Sequence, residues 1–255
     1  MASWALVTGA TAGIGESFTR LLAANNYNIV LVARDAQRMQ ERAQQLESQF
    51  NISTHMIQAD LSSDIGCGLV ESYIKNNQID VLINNAGFGL NKAFTLSEVD
   101  AEQQMLDVLV RTPMRLMHSV LPGMKERNKG VVINVSSVAG YIAGGSYSAS
   151  KSYITVISES INTELAATNV KVSALCPGFT RTEFHQRARM SMKGLPSFMW
   201  LNSDKLVERA WVDALKGRAV SIPGWQYQLL VFIIHTVPRS LVRKVGMNLR
   251  AKQRK

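Results

Sequence analysis

Short apolar runs recur along the chain and alternate with stretches of helical periodicity. No other feature limits the possible folds as much, because strands that are apolar on both faces occur in parallel sheets that helices cover on both sides. The runs, of which the third is weaker than the others, occupy residues 4–8, 28–33, 54–58, 79–84, 130–136, 170–175 and 219–223. The chain is therefore predicted to form an α/β fold, a doubly wound parallel sheet with helices on both faces.

Three amphipathic segments, at residues 36–49, 100–127 and 147–168, lie between these runs. The composition is uniform up to residue 214, without repeats or a low-complexity linker. A chain of 255 residues, of which 46% are hydrophobic and 18% charged, can bury a large core and is not expected to be disordered. These features together indicate one domain.

The two cysteines, Cys67 and Cys176, are too few for a disulfide framework and indicate a reducing compartment. The N-terminus begins a strand pattern almost at once and lacks the basic start and long apolar run of a signal peptide. We therefore expect a cytoplasmic protein. The four histidines lie far apart and form no metal-binding pattern, and the G-x-S-x-G motif of serine hydrolases is absent from the sequence.

The positive charge is concentrated at the C-terminal end. The chain has 28 basic and 19 acidic residues, and the last acidic one is Asp213. Residues 214–255 hold nine lysines and arginines, which equals the whole net charge of +9. A basic end of this kind is typical of contact with an anionic partner, either a nucleic acid or a lipid surface, although a solvated end would explain the last few residues equally well.

A glycine-rich stretch, TGATAGIGE, follows the first predicted strand and begins a helical pattern. Gly9, Gly13 and Gly15 form the pattern T-G-x-x-x-G-x-G. Glycines at such a turn let the backbone approach a pyrophosphate, whose negative charge is stabilised by the N-terminus of the following helix. The stretch therefore predicts a dinucleotide-binding turn.

The end of the second strand determines which dinucleotide fits. A carboxylate at this point would bind the ribose hydroxyls of NAD, but the first charged residue in LVARDAQR is Arg34. Arginine suits the 2′-phosphate of NADP(H), because its planar guanidinium makes two charge-assisted hydrogen bonds. Arg38 lies one helical turn further on, whereas Asp35 weakens the argument, and an ordinary exposed loop arginine is the alternative for Arg34. After the third strand, Asp60 is placed to contact the adenine edge.

A tyrosine and a lysine stand four residues apart in YSASK, and the tyrosine lies ten positions after a serine that directly follows the fifth run. Tyr147 and Lys151 would share one face of a helix near Ser137, but this spacing alone is common. In order and approximate spacing, the motifs of the whole chain resemble those of the short-chain dehydrogenase/reductase superfamily. The motifs that carry the resemblance are TGATAGIG, Asp60, INNAG at residues 83–87, NVSS, YSASK and CPGFTRT at residues 176–182.

The resemblance extends over residues 4 to about 185. It implies a single Rossmann-type domain with a seven-stranded parallel sheet, and hydride transfer to or from a nicotinamide cofactor. It also implies that Tyr147 is the general acid in carbonyl reduction, that Lys151 favours the phenolate, and that Ser137 binds the substrate oxygen. The residues to which it assigns NADP(H) binding are Thr8, Gly9, Thr11, Gly13, Ile14, Gly15, Arg34, Asp60, Leu61, Asn85, Ala86, Gly87, Tyr147, Lys151, Pro177, Gly178, Thr180 and Thr182.

The resemblance gives some of these residues a particular place. Pro177 and Gly178 would turn the chain beneath the nicotinamide, and Thr182, or else Thr180, would hold its carboxamide. Asn84, at the start of the NNAG motif, would line the adenosine side and steady the central strand.

Two features depart from the family pattern. The family usually has an asparagine in the long helix after the fourth strand, where it supports a water in the proton relay, but the corresponding residue here is Leu109. The alternatives are a water held in another way, slow turnover, or loss of catalysis. In addition, the loop between Ser137 and Tyr147 is shorter than in many relatives, so Ser136 and Ser146 are further candidates for the substrate contact.

The segment at residues 183–206 follows the last motif, and substrate selection in this family falls mainly to that segment. Methionine and aromatic side chains in a mobile segment adapt to a bulky apolar ligand, and ordinary packing against the domain is the alternative. The apolar residues concerned are Phe184, Met190, Met192, Leu195, Phe198, Met199, Trp200 and Leu201.

The end of the chain combines an apolar run at residues 229–234 with helically spaced apolar and basic residues after Pro238. The run is too short to span a bilayer, and the pattern is typical of a helix on an anionic membrane surface. A subunit contact and a helix docked on the substrate lid are the alternatives. The tail and the apolar lid resemble those of lipid-directed members of the superfamily, including long-chain 3-oxoacyl reductases and mycolate-precursor reductases.

We therefore expect an NADPH-dependent carbonyl reductase of a long-chain 3-oxoacyl or related lipid ketone, while steroid-like and small xenobiotic ketones remain open. The expected segments are a dinucleotide-binding and catalytic core at residues 1–185, a substrate lid with the last strand at residues 186–223, and an apolar and basic tail at residues 224–255. A homodimer or homotetramer is expected, without metal or nucleic acid, and the tail could hold a cytoplasmic protein on the inner membrane face. The alternative is a cofactor-binding sensor or membrane-associated scaffold without catalysis.

Overall fold

The computed structural model describes residues 3–184 and 195–243. Met190 and Met192 of the predicted substrate lid lie outside these ranges, as do five of the nine basic residues after Asp213. The predictions about the lid and the tail are therefore tested only for their described parts.

Seven parallel strands form one sheet in the order β3-β2-β1-β4-β5-β6-β7. They are β1 (Trp4–Thr8), β2 (Asn28–Ala33), β3 (Thr54–Gln58), β4 (Val81–Asn84), β5 (Gly130–Val135), β6 (Val170–Leu175) and β7 (Val220–Ser221). This sheet confirms the predicted fold class. The last strand is shorter than its apolar run, because it lies at the edge of the sheet and runs into Pro223, which has no backbone N–H to donate.

Helices connect the strands. They are α1 (Gly13–Ala24), α2 (Ala36–Phe50), α3 (Asp64–Asn76), α4 (Val99–Leu106), α5 (Thr112–Glu126), α6 (Ser146–Glu164), α7 (Ser203–Leu215) and α8 (Trp225–Thr236). A π-helical turn, Asp107–Arg111, joins α4 to α5 inside the helix predicted at residues 100–127. Pro113 explains the interruption in part, since it cannot donate the N–H that a regular α-helix would direct at the carbonyl of Leu109.

Two apolar layers hold the helices against the sheet. On one face, α1, α2 and α7 bury Phe18, Met39 and Trp211 against the strands. On the other face, α3 and α5 bury Val70 and Leu116, and α6 packs beside them. Each large apolar side chain buried in this way contributes about 1.5–3 kcal/mol, so the two layers fix where the loops at the sheet edge begin.

The order of the strands creates a crevice at their carboxyl ends. From β1 the chain continues towards β2 and β3 on one side and returns to β4 on the other, so the connections diverge between β1 and β4. Ligands of open α/β sheets bind at such a point. The loops after β1, β4, β5 and β6 all begin at this edge of the sheet. They carry most of the motifs found in the sequence.

The tail predicted from residue 224 onward begins with a helix that packs on the domain. Tyr227 of α8 is 1% exposed and lies against Gly178 of the loop after β6. The boundaries of the three predicted segments stay predictions. No helix within residues 3–184 and 195–243 combines the length and the apolar content that crossing a bilayer requires.

Candidate active site

The glycine turn after β1 has the geometry that a dinucleotide requires. Gly9 and Gly13 adopt φ angles of +65° and +57°, which favour glycine over other residues. A Cβ added to Gly15 would lie 2.2 Å from the carbonyl oxygen of Gly9, so this position also requires glycine. Ala12 precedes α1 without a side-chain cap, which leaves the first N–H groups of the helix available to a phosphate. The turn therefore fits a pyrophosphate.

Thr8 and Asn85 hold the glycine turn against the end of β4. The Thr8 hydroxyl accepts hydrogen bonds from the backbone N–H of Asn85 at 2.9 Å and of Ala86 at 3.0 Å. In return, the side-chain amide of Asn85 donates to the carbonyls of Thr8 at 2.9 Å and Gly9 at 3.1 Å. Both side chains thus position the backbone that would approach the cofactor.

Asn84 lies in the interior, although the sequence prediction also placed it along the adenosine side. It is 4% exposed, and its amide nitrogen donates to the side-chain oxygen of Asn134 at 2.9 Å. Asn134 in turn donates to the hydroxyl of Ser158 on α6 at 2.8 Å. Asn84 therefore links β4 to β5, which agrees with the predicted support of the central strand and corrects the predicted contact with adenosine.

The end of β2 presents two arginines with different partners. Arg34 is exposed, and its backbone carbonyl accepts a hydrogen bond from the Gln58 side chain at 3.0 Å. The Asp35 side chain caps α2 by accepting from the backbone N–H of Arg38 at 3.0 Å, so this carboxylate already serves the helix. The Arg38 guanidinium makes a two-point contact with the Glu183 carboxylate at 2.9 and 3.2 Å.

Asp60 and Leu61 form a tight turn after β3. The Asp60 carboxylate accepts hydrogen bonds from the backbone and the hydroxyl of Ser62, at 3.0 and 2.8 Å. These bonds hold the pKa of Asp60 below its usual range, and the positive charge of Arg34 adds to the effect. The carbonyl of Leu61 accepts from the Thr112 hydroxyl at 2.8 Å, which ties this turn to α5.

Tyr147 and Lys151 share one face of α6, as predicted from their spacing. The Lys151 ammonium lies 5.7 Å from the centre of the Tyr147 ring and donates to the carbonyl of Val135 at 2.6 Å. Lys151 is 6% exposed, and burial lowers its pKa to about 8. The Tyr147 ring lies 5.9 Å from the ring of Phe184, at the start of the predicted substrate segment.

The three serine candidates have different surroundings. The half-buried Ser137 hydroxyl donates to the carbonyl of Pro177 at 3.4 Å and accepts from a backbone N–H two residues on. Ser136 is 2% exposed and bonds to the carbonyl of Lys151 at 2.7 Å, so it holds α6 in place and does not face the crevice. Ser146 is the first residue of α6. Of the three, Ser137 is the one beside the loop after β6.

The loop after β6 is packed from both sides. A Cβ on Gly178 would lie 2.0 Å from the Tyr227 ring, so only glycine fits here. Thr180 is 3% exposed and donates to the Gly178 carbonyl at 3.1 Å. Thr182 lies over the glycine turn, because a Cβ on Gly13 would be 3.0 Å from its side chain. This position favours Thr182 over Thr180 as the residue that faces a bound cofactor.

Leu109 lies beside the catalytic candidates. It is 1% exposed and belongs to the π-helical turn. A Cβ on Gly87 would be 2.7 Å from a methyl group of Leu109 and 3.9 Å from the Lys151 ammonium nitrogen. An apolar side chain thus stands where the family usually has an asparagine.

Three contributions to the site were missed in the sequence. The carbonyl of Val135 holds Lys151, Glu183 pairs with Arg38, and Tyr227 supports the loop at Gly178. The contact of Lys151 with Val135 could not be predicted, because it uses a backbone carbonyl and the sequence of residues 130–136 shows only an apolar run. The other two join positions that are far apart in the chain, and only the position of Glu183 directly after CPGFTRT could have indicated its role.

Two other features of the described residues lie outside this crevice. A groove of about 550 Å³ opens between α6 and α8, and its lining includes Tyr141, Glu159 and His235 but neither Ser137 nor Tyr147. Within residues 3–184 and 195–243, no group of three or more histidine, cysteine, aspartate or glutamate side chains could hold a metal ion.

Known proteins are similar to this chain in sequence and fold. The family model for short chain dehydrogenases matches residues 3–193. A solved short-chain dehydrogenase from Sphingobium yanoikuyae, in complex with NADPH, is 28% identical with a TM-score of 0.83, over 92% of this chain and 94% of that one.

Two named relatives extend the comparison to nearly the whole chain. A very-long-chain 3-oxoacyl-CoA reductase-like protein of Arabidopsis thaliana is 29% identical over 94% of this chain and 78% of its own length. The very-long-chain 3-oxoacyl-CoA reductase of Rattus norvegicus is 26% identical over 94% of this chain and 75% of its own length.

The fold and the crevice define a nicotinamide-dependent oxidoreductase that acts on hydroxyl or carbonyl groups. The chain belongs to the short-chain dehydrogenase/reductase family.

Proposed function

We propose that this protein is an NADPH-dependent carbonyl reductase that acts on an apolar ketone of the long-chain 3-oxoacyl or a related lipid class. The observation that carries the proposal is the position of Tyr147 one helical turn from Lys151, whose buried ammonium lies 5.7 Å from the tyrosine ring. Both residues face the crevice at the carboxyl ends of the strands, where the glycine turn would hold the cofactor.

The catalytic roles follow from the chemistry of the side chains. A bound nicotinamide cofactor would supply the hydride. Tyr147 donates the proton to the reduced oxygen, and the charge of Lys151 favours the phenolate that remains. The Ser137 hydroxyl donates a hydrogen bond to the same oxygen, which gains negative charge in the transition state. Lys151 keeps its orientation through the bond to the Val135 carbonyl.

The residues at the ends of β1 to β4 would bind the cofactor. The uncapped N-terminus of α1 with Gly9, Gly13 and Gly15 suits the pyrophosphate, and Asp60 suits the adenine. The remaining residues of this binding set are Thr8, Thr11, Ile14, Leu61, Asn85, Ala86, Gly87, Pro177, Gly178 and Thr182, with Thr180 as the alternative to Thr182.

NADP(H) is the preferred cofactor in this proposal. Arg34 is exposed at the end of β2, where the 2′-phosphate lies in this fold, and Asp35 is committed to capping α2. Arg38 would add a second positive charge, although its guanidinium is shared with Glu183. The NADPH complex of the Sphingobium relative supports the same choice.

The substrate class rests on the apolar residues near the catalytic pair and on the names of the relatives. Phe184 lies against Tyr147, and Phe198 is an exposed aromatic residue at the far end of the same segment. The relatives from Arabidopsis and rat are named for very-long-chain 3-oxoacyl-CoA reduction. Apolar walls and these names together favour a long acyl chain over a small polar ketone.

The proposal also includes assembly and location. A homodimer or homotetramer is expected from the family, and the basic tail would place the protein on the cytoplasmic face of an anionic membrane. The relevant charges are the seven lysines and arginines of residues 224–255.

A panel of 3-oxoacyl esters of increasing chain length tests this function. Purified protein would be mixed with NADPH, and in parallel with NADH, while absorbance of the reduced cofactor is followed. Each methylene that becomes buried should raise kcat/KM about fourfold until the pocket is filled, since its transfer is worth about 0.8 kcal/mol. Equal rates for short and long chains would contradict the lipid substrate, and equal rates with NADH would contradict the cofactor preference.

One observation favours a second candidate, a cofactor-binding sensor or scaffold without catalysis. Leu109 places a methyl group beside Gly87, close to the catalytic pair, where an asparagine would support a water of the proton relay. A water could instead bind the carbonyl of Leu109, because Pro113 has no N–H to donate to it as a regular α-helix would. Such a water would support catalysis and count against the second candidate.

The substitution Leu109→Asn separates the two candidates. If the missing side chain limits proton transfer, turnover should rise and NADPH affinity should stay the same. An unchanged rate in an active enzyme would show that the asparagine is dispensable here. Tight NADPH binding without turnover in the wild type, together with turnover in the variant, would establish the non-catalytic candidate and identify its cause.

A further inference from the structure

The outer face of α8 consists of large apolar side chains that are open to solvent. Trp225 is 70% exposed, Phe232 66%, Leu229 51% and Ile233 45%. Their spacing of four, seven and eight residues places all of them within about 100° of one face of a helix. A face of this size and composition is unusual on a water-exposed helix and indicates a partner.

The opposite face fixes α8 to the substrate side of the domain. Tyr227 is buried, and its hydroxyl donates to the carbonyl of Met199 at 2.6 Å while it accepts from the N–H of Phe179 at 2.9 Å. Gln226 donates to the carbonyl of Phe198 at 3.1 Å. α8 is therefore fixed to Phe198 and Met199 of the predicted substrate segment and to Phe179 of the loop after β6.

The chain that follows this face carries charge of a single sign. After Asp213 the chain has no acidic residue, and Arg239 and Arg243 follow α8 directly. Leu241, which lies between these arginines, is also exposed. Glu159 of α6 lines the groove that Phe232 also lines, but the chain that follows this face is basic. An apolar helical face followed by cations is complementary to a surface that combines hydrocarbon with negative charge.

We propose that the outer face of α8 binds the surface of an anionic lipid bilayer, and that this contact places the substrate segment at the lipid. α8 has twelve residues and would be about 18 Å long, too short to cross a hydrocarbon core of about 30 Å, so it lies in the plane of the interface. Trp225 and Phe232 enter the headgroup boundary, and Arg239 and Arg243 contact the lipid phosphates. The first half of the proposal deepens the membrane location given under the proposed function, and the second half also rests on the proposed substrate.

Vesicle binding of the full-length protein tests the contact without any turnover. Flotation with vesicles of phosphatidylcholine and phosphatidylglycerol would be compared with phosphatidylcholine alone. The double variant Trp225→Ser/Phe232→Ser should weaken binding to the anionic vesicles about tenfold or more, and Arg239→Glu/Arg243→Glu should do the same. The matched control is Ile65→Ser/Phe94→Ser, because these two apolar residues are as exposed but lie far from α8 in sequence. Its binding should equal that of the wild type.

Several results would overturn the proposal. They are binding that is equal on neutral vesicles, binding that survives both α8 variants, and binding that the control also loses. If the wild type ignores vesicles and the Trp225/Phe232 variant lowers the molar mass in light scattering, a second copy covers the face instead. If duplex DNA binds in place of vesicles, the basic end serves a nucleic acid. Thermal melting of each variant establishes that it is folded before these results are scored.

Turnover then tests the placement of the substrate segment. With a long-chain 3-oxo substrate carried in anionic vesicles, the Trp225/Phe232 variant should show a higher KM than the wild type, while kcat for a short soluble ketone stays unchanged. An unchanged KM on vesicle-borne substrate would contradict the placement even if vesicle binding is lost. If the wild type turns over neither substrate, the proposed function is contradicted. The conclusion from vesicle binding is not affected by that result.

Discussion

The glycine turn after β1 and the helix α8 both contact the loop after β6, at Thr182 and Gly178 respectively, and different physical constraints fix them. In the turn, the backbone itself is the constraint: Gly9 requires a positive φ, and Gly15 has no room for a Cβ. In α8, the inner face is constrained through Tyr227, while most of the outer face around Phe232 is exposed. The ligand of the first region can therefore be inferred from backbone geometry, whereas that of the second must be inferred from the chemistry of its exposed side chains.

The largest expected effect is on turnover. Tyr147→Phe should lower kcat about 10²- to 10⁴-fold, since it removes the proton donor, and should leave NADPH binding and vesicle binding intact. Tyr153→Phe is the matched control, because Tyr153 lies on the same helix with its ring partly exposed. Steady-state rates and fluorescence titration of NADPH measure both. Full activity of the Tyr147 variant would remove the catalytic assignment.

The next effect is on cofactor binding and contrasts the two regions directly. Gly15→Ala adds one methyl group 2.2 Å from a backbone oxygen, so the turn must shift, and we expect NADPH affinity to fall about a hundredfold with a loss of about 1–3 kcal/mol in stability. Gly68→Ala in α3 meets no atom within 4 Å and should stabilise the fold by about 0.5–1 kcal/mol. Phe232→Ser, a larger change in chemistry, should alter stability by about 0.5 kcal/mol or less, because its ring is exposed. Urea unfolding measures the change in the free energy of unfolding for each variant. Gly15→Ala should be the most destabilised and Gly68→Ala the most stable, and the reverse order would contradict the comparison between the two regions.

The choice of cofactor should depend on the arginine at the end of β2. Arg34→Ala should raise the dissociation constant for NADPH about 10- to 100-fold and leave that for NADH unchanged, because a charge-assisted contact to a phosphate is worth about 1.5–3 kcal/mol. Arg42→Ala is a suitable control, since Arg42 pairs with Glu16 at 2.8 Å. A parallel loss for both cofactors would mean that Arg34 supports the loop and does not bind the 2′-phosphate.

A further effect concerns pH and the buried lysine. Burial lowers the pKa of Lys151 from 10.5 to about 8, so the folded protein holds an unfavourable charge below pH 8, and this penalty is lost as pH rises from 8 to 10.5. The wild type should therefore gain about 2 kcal/mol relative to Lys151→Met between pH 7 and pH 9.5, in the cofactor-free state. Urea unfolding of both proteins at the two pH values measures the difference. A constant difference would show that Lys151 is not destabilised by burial.

Much of the cofactor end could be predicted from the sequence, because there each motif corresponds to a local backbone requirement. The strands follow from their apolar runs, and the turn at Gly9 to Gly15 follows from glycine spacing. The helical pairing of Tyr147 with Lys151 follows from an interval of four residues. These features need no knowledge of distant contacts.

The rest depends on contacts between residues that are far apart. Asn84 belongs to a motif, yet its direction is set by Asn134 on the neighbouring strand. The π-helical turn around Leu109 interrupts a pattern that is periodic in the sequence. The bonds of Tyr227 to Met199 and Phe179 join the tail to the loop after β6, which turns a predicted tail into part of the domain.

Deuterium transfer tests the central claim most directly. Wild-type protein would be incubated with NADPH that carries deuterium at the reactive carbon and with 3-oxoacyl esters of several chain lengths, and the products would be weighed by mass spectrometry. The account predicts a 3-hydroxy product one mass unit heavier than that formed with unlabelled NADPH, in a yield that rises with chain length and is lost in Tyr147→Phe. Saturating NADPH binding without deuterium in any product would contradict it.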